Sequence, residues 1–224
     1  MTKAFKSIFL HGFRATGKST IGKLLAKRLG FEHVEMDQEI EHRAGVSIAE
    51  LTNQGTDWLA MRRLESQLLQ ELLTRSGLVV STGGGLCVNT VIDPQSGQTF
   101  GQLNFDLVTR DQQNLHLVLT AYIDTLVQRL RQDELSHDNP FPKRPILNPT
   151  QAQKLQQLFC LFDKDPEIQK EILIKEIIED SITVFLQRKP KYEQLSQHLI
   201  ATDFLSPEEL VNNFTRKLTI KFYV

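Results

Sequence analysis

The sequence predicts an α/β fold, a parallel β-sheet covered by helices on both faces. Three observations predict it. Five short runs rich in apolar residues are spread from residue 7 to residue 202. Stretches of helical periodicity separate them, which is the alternation that crossover connections between parallel strands require. Glycines, prolines and capping residues fall at the seams between the two kinds of segment.

In chain order, "SIFLHGF" (7–13) reads as a buried strand. "GKSTIGKLLAKRLG" (17–30) reads as a helix with apolar residues at 21, 24, 25 and 29, stopped by Gly30. "FEHVEMD" (31–37) is a second strand with Asp37 at its end. "SIAE" (47–50) is a capping box, in which Ser47 and Glu50 satisfy each other's backbone N–H groups and open a helix. A longer helix follows in "WLAMRRLESQLLQELLTR" (58–75), then the strand "LVVST" (78–82). "LHLVL" (115–119) is the fourth strand and "TAYIDTLVQRLRQ" (120–132) the helix after it. "HLIAT" (198–202) is the fifth strand. The last helix, "SPEELVNNFTRKL" (206–218), has Ser206 as N-cap, Pro207 in the first helical position and Glu209 in the third. The charged region at about 148–185 belongs to no strand–helix unit and reads as an inserted helical segment. Asp165-Pro166 would start its main helix, with Ile168, Ile172, Leu173, Ile177 and Ile178 as an apolar stripe.

Composition narrows the class. The chain has 224 residues, 40% hydrophobic and 24% charged, with a net charge of −1. That balance exerts no global pull on nucleic acid or an anionic membrane. Two cysteines, Cys87 and Cys160, form neither a disulfide framework nor a metal-ligand spacing, and Cys87 reads as a small packing residue. The six histidines show no metal spacing either. With no run of eighteen apolar residues and no signal-peptide pattern, the expected location is the cytoplasm.

"HGFRATGKST" (11–20) carries the first chemistry. Gly12, Gly17, Lys18 and Ser19 meet the spacing G-x-x-x-x-G-K-[ST] between a strand and a helix. A loop of this kind curls around phosphates and turns its backbone N–H groups inward, a curl that glycines permit. The helix N-terminus adds partial positive charge, Lys18 reaches the β/γ-phosphates and Ser19 can hold Mg²⁺. Nucleotide binding follows. A reaction does not.

Three further stretches narrow the reaction. "EMDQEIEHRAGVSIAEL" carries Asp37 where ligands sit in a parallel sheet. "MRRLE" puts Arg62 three residues before Glu65, and "STGGG" puts Gly83, Gly84 and Gly85 directly after the third strand. With "KRPIL" (143–147) and "RKPKY" (188–192) these motifs stand in the order found in the shikimate kinase family, which the chain resembles closely over residues 5–89 and in pieces beyond. The resemblance implies a P-loop kinase fold with strand order 2-3-1-4-5 and transfer of a phosphoryl group from ATP, with Mg²⁺, to the 3-hydroxyl of shikimate. It implies that Lys18, Asp37 and Arg144 act in catalysis. Asp37, Arg62, Gly83, Gly84, Gly85 and Arg188 would meet the substrate, the two arginines clamping its carboxylate. Ala15, Thr16, Gly17, Lys18, Ser19, Thr20, Arg129 and Arg144 would meet ATP, and Ser19, with Glu35 through water, the Mg²⁺.

The chain also departs from the family. Ala15 and Thr16 replace a glycine and a small residue, Glu35 replaces the first of two aspartates, and Thr52 and Met61 stand where aromatic residues wall the substrate. Two extra residues lie between Gly55 and Arg62, and longer segments lie at about 90–112 and 148–185. The expectation is one domain over 1–224, with a lid at about 131–150 closed by Arg144. The insertion would pack over the lid edge, with a dimer contact as the alternative to a monomer. A same-fold kinase of another polyol acid such as gluconate, and a nucleotide-binding regulator without turnover, are the competing readings.

Overall fold

The computed structural model describes residues 5–135, 146–150, 152–153, 166–195 and 198–217. Arg144 and Cys160, and half of the expected lid (136–145), lie outside the described residues. Strand β1 (Ile8–His11) runs through the centre of a five-stranded sheet, between β3 (Leu78–Ser81) and β4 (Leu115–Thr120). β2 (Glu32–Glu35) and β5 (His198–Ala201) are the edges, and the order is β2-β3-β1-β4-β5, all neighbours parallel. The central strands are buried on both faces because side chains alternate across a strand. Phe9, Val80 and Val118 point into one core, and Ile8, Leu10, Val79 and Leu117 into the other.

Helices α1 (Lys18–Leu29) and α8 (Pro207–Lys217) cover the second face, where Ile21, Leu25 and Val211 are buried. Gly30 ends α1 in the left-handed conformation with φ 70°. The first face is covered by α2 (Met36–Ala44), α4 (Leu59–Thr74), α5 (Phe100–Arg110), α6 (Ile123–Leu135) and α7 (Pro166–Leu195). The capping box expected at Ser47, opening the short α3 (Ile48–Leu51), is formed, and the expected N-cap Ser206 also exchanges hydrogen bonds with Glu209.

Four boundaries differ from the sequence reading. Asp37 lies in the first turn of α2, not at the end of the second strand. α6 begins at Ile123 and continues to Leu135, so residues expected to open the lid at 131 are helical. α5 carried no clear sequence signal because Gly101, Asn104 and Thr109 are poor helix formers. Gly101 is there for closeness, since a Cβ would come within 2.2 Å of the Asn89 carbonyl oxygen. The expected insertion helix does start at Pro166, but it runs unbroken to Leu195 and so carries Arg188 on its own last turns. Its buried face is Ile174, Ile177, Ser181, Val184, Phe185 and Tyr192, while Ile172 is 48% exposed. The end of the chain segment after residue 145 is tied to this helix: the Leu147 and Asn148 N–H groups donate to Asp180 at 2.7 and 3.2 Å. Ile146 and Ala152 pack on Ile177 beside it.

Candidate active site

The phosphate loop leaves β1 and curls into α1, with Gly17 at φ 88° as its N-cap. Ala15 also sits in the left-handed region, at φ 62°. A side chain there costs roughly 1 kcal/mol, a strain that a glycine at this position would avoid. The Thr16 hydroxyl donates to the Phe13 carbonyl at 2.8 Å. Lys18 is buried, and its ammonium donates to the Gly12 and Phe13 carbonyls at 2.9 and 2.8 Å. The loop opens on a cavity of about 620 Å³, with Ala15, Gly17, Lys18, Ser19 and Thr20 at one side. Arg129, Thr202, Pro207 and Leu210 also line it. Arg129 joins the two groups, donating to the Ala15 carbonyl at 3.3 Å, the Thr202 carbonyl at 2.7 Å and the Thr202 hydroxyl at 2.9 Å.

Glu35 and Asp37 line the same cavity. Glu35 hydrogen-bonds Ser19, and burial pushes its carboxyl above the ordinary range. Glu35 Oε2 and Asp37 Oδ1 are buried without a hydrogen-bond partner.

Beyond Asp37 lies a second cluster. Arg62 and Glu65, one turn apart on α4, form an ion pair of 2.7 Å with side chains 4% and 0% exposed. Burial pushes the Glu65 carboxyl up, and the Arg62 guanidinium pulls it back only in part. Arg62 lies 4.6 Å from the centre of the Trp58 ring, a cation–π contact. Arg62 Nε and Glu65 Oε1 have no partner. The three glycines after β3 admit this cluster. A Cβ at Gly83 would come within 2.2 Å of Glu65 and 3.0 Å of Asp37, and one at Gly85 within 2.5 Å of Arg62. Gly84 uses its carbonyl, which accepts from Tyr192 Oη and lies 3.5 Å from the Arg188 guanidinium. Arg188 is partly buried, and its own burial is the main cause that lowers its pKa, with Arg62 adding repulsion. A buried and a partly buried cation facing the same backbone, with Arg62 Nε unpaired, form a receptor for an anion.

The structure thus brings together Lys18, Asp37, Arg62, Gly83, Gly84, Gly85 and Arg188 from five separate stretches of chain. Arg188 is folded inward, toward the Gly84 carbonyl. Thr52 is buried with its hydroxyl bonded to the Ile48 carbonyl, Met61 is buried beside Arg62, and the aromatic surface on Arg62 is Trp58. Cys87 is buried packing, its thiol pushed up by burial.

Sequence reasoning missed a buried relay beneath the loop. His116 Nε2 lies 3.0 Å from Asp111, His116 Nδ1 lies 2.9 Å from His11 Nε2, and His11 Nδ1 lies 3.3 Å from the Thr82 hydroxyl. A carboxylate only accepts, so His116 Nε2–H donates to Asp111, while the Thr82 hydroxyl donates its one proton to the Leu10 carbonyl at 3.1 Å. Burial first, then His116 and Lys18, holds the His11 pKa well below the ordinary value.

Comparisons with known proteins identify the family. The family model for shikimate kinase matches residues 14–219. The chain belongs to the shikimate kinase family. A shikimate kinase from Chlorobium chlorochromatii is 33% identical over 219 residues, covering 97% of this chain and 93% of the relative. One from Sulfurihydrogenibium sp. is 34% identical over 155 residues, 69% and 78% of the two chains. The solved shikimate kinase from Acinetobacter baumannii in complex with shikimate matches with a TM-score of 0.65 at 21% identity, covering 96% of this chain and 93% of that one, a likeness of fold.

Proposed function

We propose that this shikimate kinase family member transfers the γ-phosphoryl group of ATP to the 3-hydroxyl of shikimate. The observation that carries the reading is the pair of arginines, Arg62 buried and Arg188 partly so, converging on the Gly84–Gly85 backbone next to Asp37 and the phosphate loop. A hydroxy acid held by its carboxylate there presents a ring hydroxyl toward Asp37. Asp37 Oδ1, buried and unpaired, accepts that hydroxyl's proton or hydrogen bond and aims the oxygen at the phosphoryl group. Lys18 leaves the Gly12 and Phe13 carbonyls for the β/γ-phosphates, while the N–H groups from Ala15 to Thr20 hold the rest of the chain of phosphates. Arg129, with Pro207 and Leu210, offers a flat cationic and apolar seat for the base. Ser19, with Glu35 acting through water, fits an Mg²⁺ ion: a hydroxyl, an unpaired buried carboxylate oxygen and room for water suit a hard cation. Bound there, Mg²⁺ would supply positive charge beside the transferring phosphoryl group. Arg144, outside the described residues, is placed in the lid by its motif alone.

The test is ADP release measured across a panel of sugar acids that includes shikimate and gluconate. Shikimate should be preferred, and Asp37→Asn should retain ATP binding while turnover falls by about 100-fold or more. Preference for gluconate, or no turnover of any acid by the wild-type chain, would sink the reading.

A further inference from the structure

We propose that Tyr192 is a positioning residue of the acid site, whose hydroxyl sets Arg188 and Arg62 in register with one another; this rests on the carboxylate-clamp reading above. Tyr192 follows Arg188 by four residues on α7, so the two side chains share one face of the helix. The phenol has a single proton, and it is donated to the Gly84 carbonyl. Arg188 donates to the same Gly84 carbonyl at 3.5 Å, and toward the guanidinium beside it the phenol oxygen can act only as an acceptor. One buried hydroxyl thus holds the arginine on one side and the glycine backbone on the other.

The effect reaches the second arginine through the peptide plane. Fixing the Gly84 carbonyl fixes the planar unit that contains the Gly85 N–H. Gly85 is the residue on which the Arg62 guanidinium rests, with no room for a Cβ between them. A chain of three glycines has no side chains of its own to hold that plane, so the hold must come from outside. Burial pushes the Tyr192 hydroxyl up to about 12, so it remains a donor at any working pH. The ring itself is ordinary core, packed in the same cluster as Phe185 and Leu195. A phenylalanine would fill that space equally well, so the oxygen can be tested apart from the packing.

Tyr192→Phe supplies the test, run with whichever acid of the panel the wild-type enzyme phosphorylates. The expected result is a rise in KM for the acid of about 10-fold or more, with the ATP KM unchanged. The penalty should disappear for an analogue lacking the carboxylate. Combined with Arg188→Lys, the two effects should be less than multiplicative, because both remove the same clamp. Equal changes in both Michaelis constants, or an equal penalty on the analogue without a carboxylate, would overturn the proposal. Should Tyr192→Phe be too unstable to assay, Arg188→Lys decides: a carboxylate-dependent rise in acid KM supports the register argument, and its absence ends it. Failure of the wild-type chain on every acid counts against the proposed function instead.

Discussion

Arg43 on α2 and Arg62 on α4 both meet carboxylates at hydrogen-bond distance, and the two contacts are opposite in kind. Arg43 uses three N–H groups, bonding Glu39 at 2.7 Å and Glu71 at 2.8 and 3.1 Å, with its side chain 37% exposed. Arg62 makes one bond of 2.7 Å to Glu65 in a nearly dry setting and leaves Nε unpaired. By counting bonds, Arg43 is the better-made site. Physically it is the less consequential one, because water and salt already satisfy both its charges in the unfolded chain. The Arg62–Glu65 pair costs desolvation that its single bond does not return, and apolar residues of similar volume would pack there as well or better. A pair kept at such a cost, with donors and acceptors spare, is arranged for a third party.

The largest effect should come from replacing that pair. The double variant Arg62→Met with Glu65→Met should keep a Tm at or above that of the wild type, while turnover of the acid falls by about 100-fold or more. Thermal unfolding and ADP release on the same preparation check it. A double variant that loses stability would show that the pair is structural after all. Glu65→Gln alone should behave differently. It leaves the Arg62 charge buried without a counter-charge, which costs about 3 kcal/mol or more and lowers Tm by about 6 °C or more.

The next effect is one of pH. His11 is held neutral in the fold, so its contribution is whole above the unfolded value near 6.5 and is lost as pH falls below it. The slope is at most about 1.4 kcal/mol per pH unit for one proton. Glu65, raised in the fold, acts in the opposite sense: its part is whole below 4.5 and lost as pH rises through the folded value. The difference between His11→Asn and wild type isolates the histidine. Urea midpoints at pH 7.5 and 5.5 should lie closer together in the variant, and equal gaps in the two proteins would mean the relay titrates elsewhere.

The comparison also marks what the sequence makes legible. The phosphate loop is one contiguous stretch whose spacing is its geometry, so Gly12, Gly17, Lys18 and Ser19 can be read directly. The sheet was legible for the same reason: alternation and helix caps are local. The acid cluster was not, because it is built from four elements far apart in sequence. The motif order named Arg62 and Arg188, but nothing local says that Gly83 makes room for Glu65 and Gly85 for Arg62. Trp58 could not be distinguished from an ordinary core residue, nor Tyr192 from a packing aromatic. The relay was hidden because Asp111, His116 and His11 join three elements without a repeating interval. α5 was missed for a different reason: its interior residues follow tertiary contacts, such as the Asn104 amide donating to the Leu86 carbonyl at 3.0 Å, rather than helix propensity.

The smallest effect belongs to Arg43. Arg43→Ala breaks two N–H contacts from α2 to Glu71 on α4 and one to Glu39 within α2, yet each group returns to water rather than to a dry interior. Tm should fall by about 2 °C or less at low salt. In about 1 M salt, where the screening length shrinks to about 3 Å, most of that difference should vanish. Glu71→Ala should give a similar value, and the double variant should add little, since either change removes the same attraction. Neither Michaelis constant should move, because Arg43 does not line the nucleotide cavity; with His42 and Arg75 it lines a hollow that adjoins that cavity only at Glu35. A loss at Arg43 that exceeds the loss at Glu65→Gln, or that persists unchanged in high salt, would reverse the ranking. The exposed network would then be what holds α2, and with it Asp37, in place.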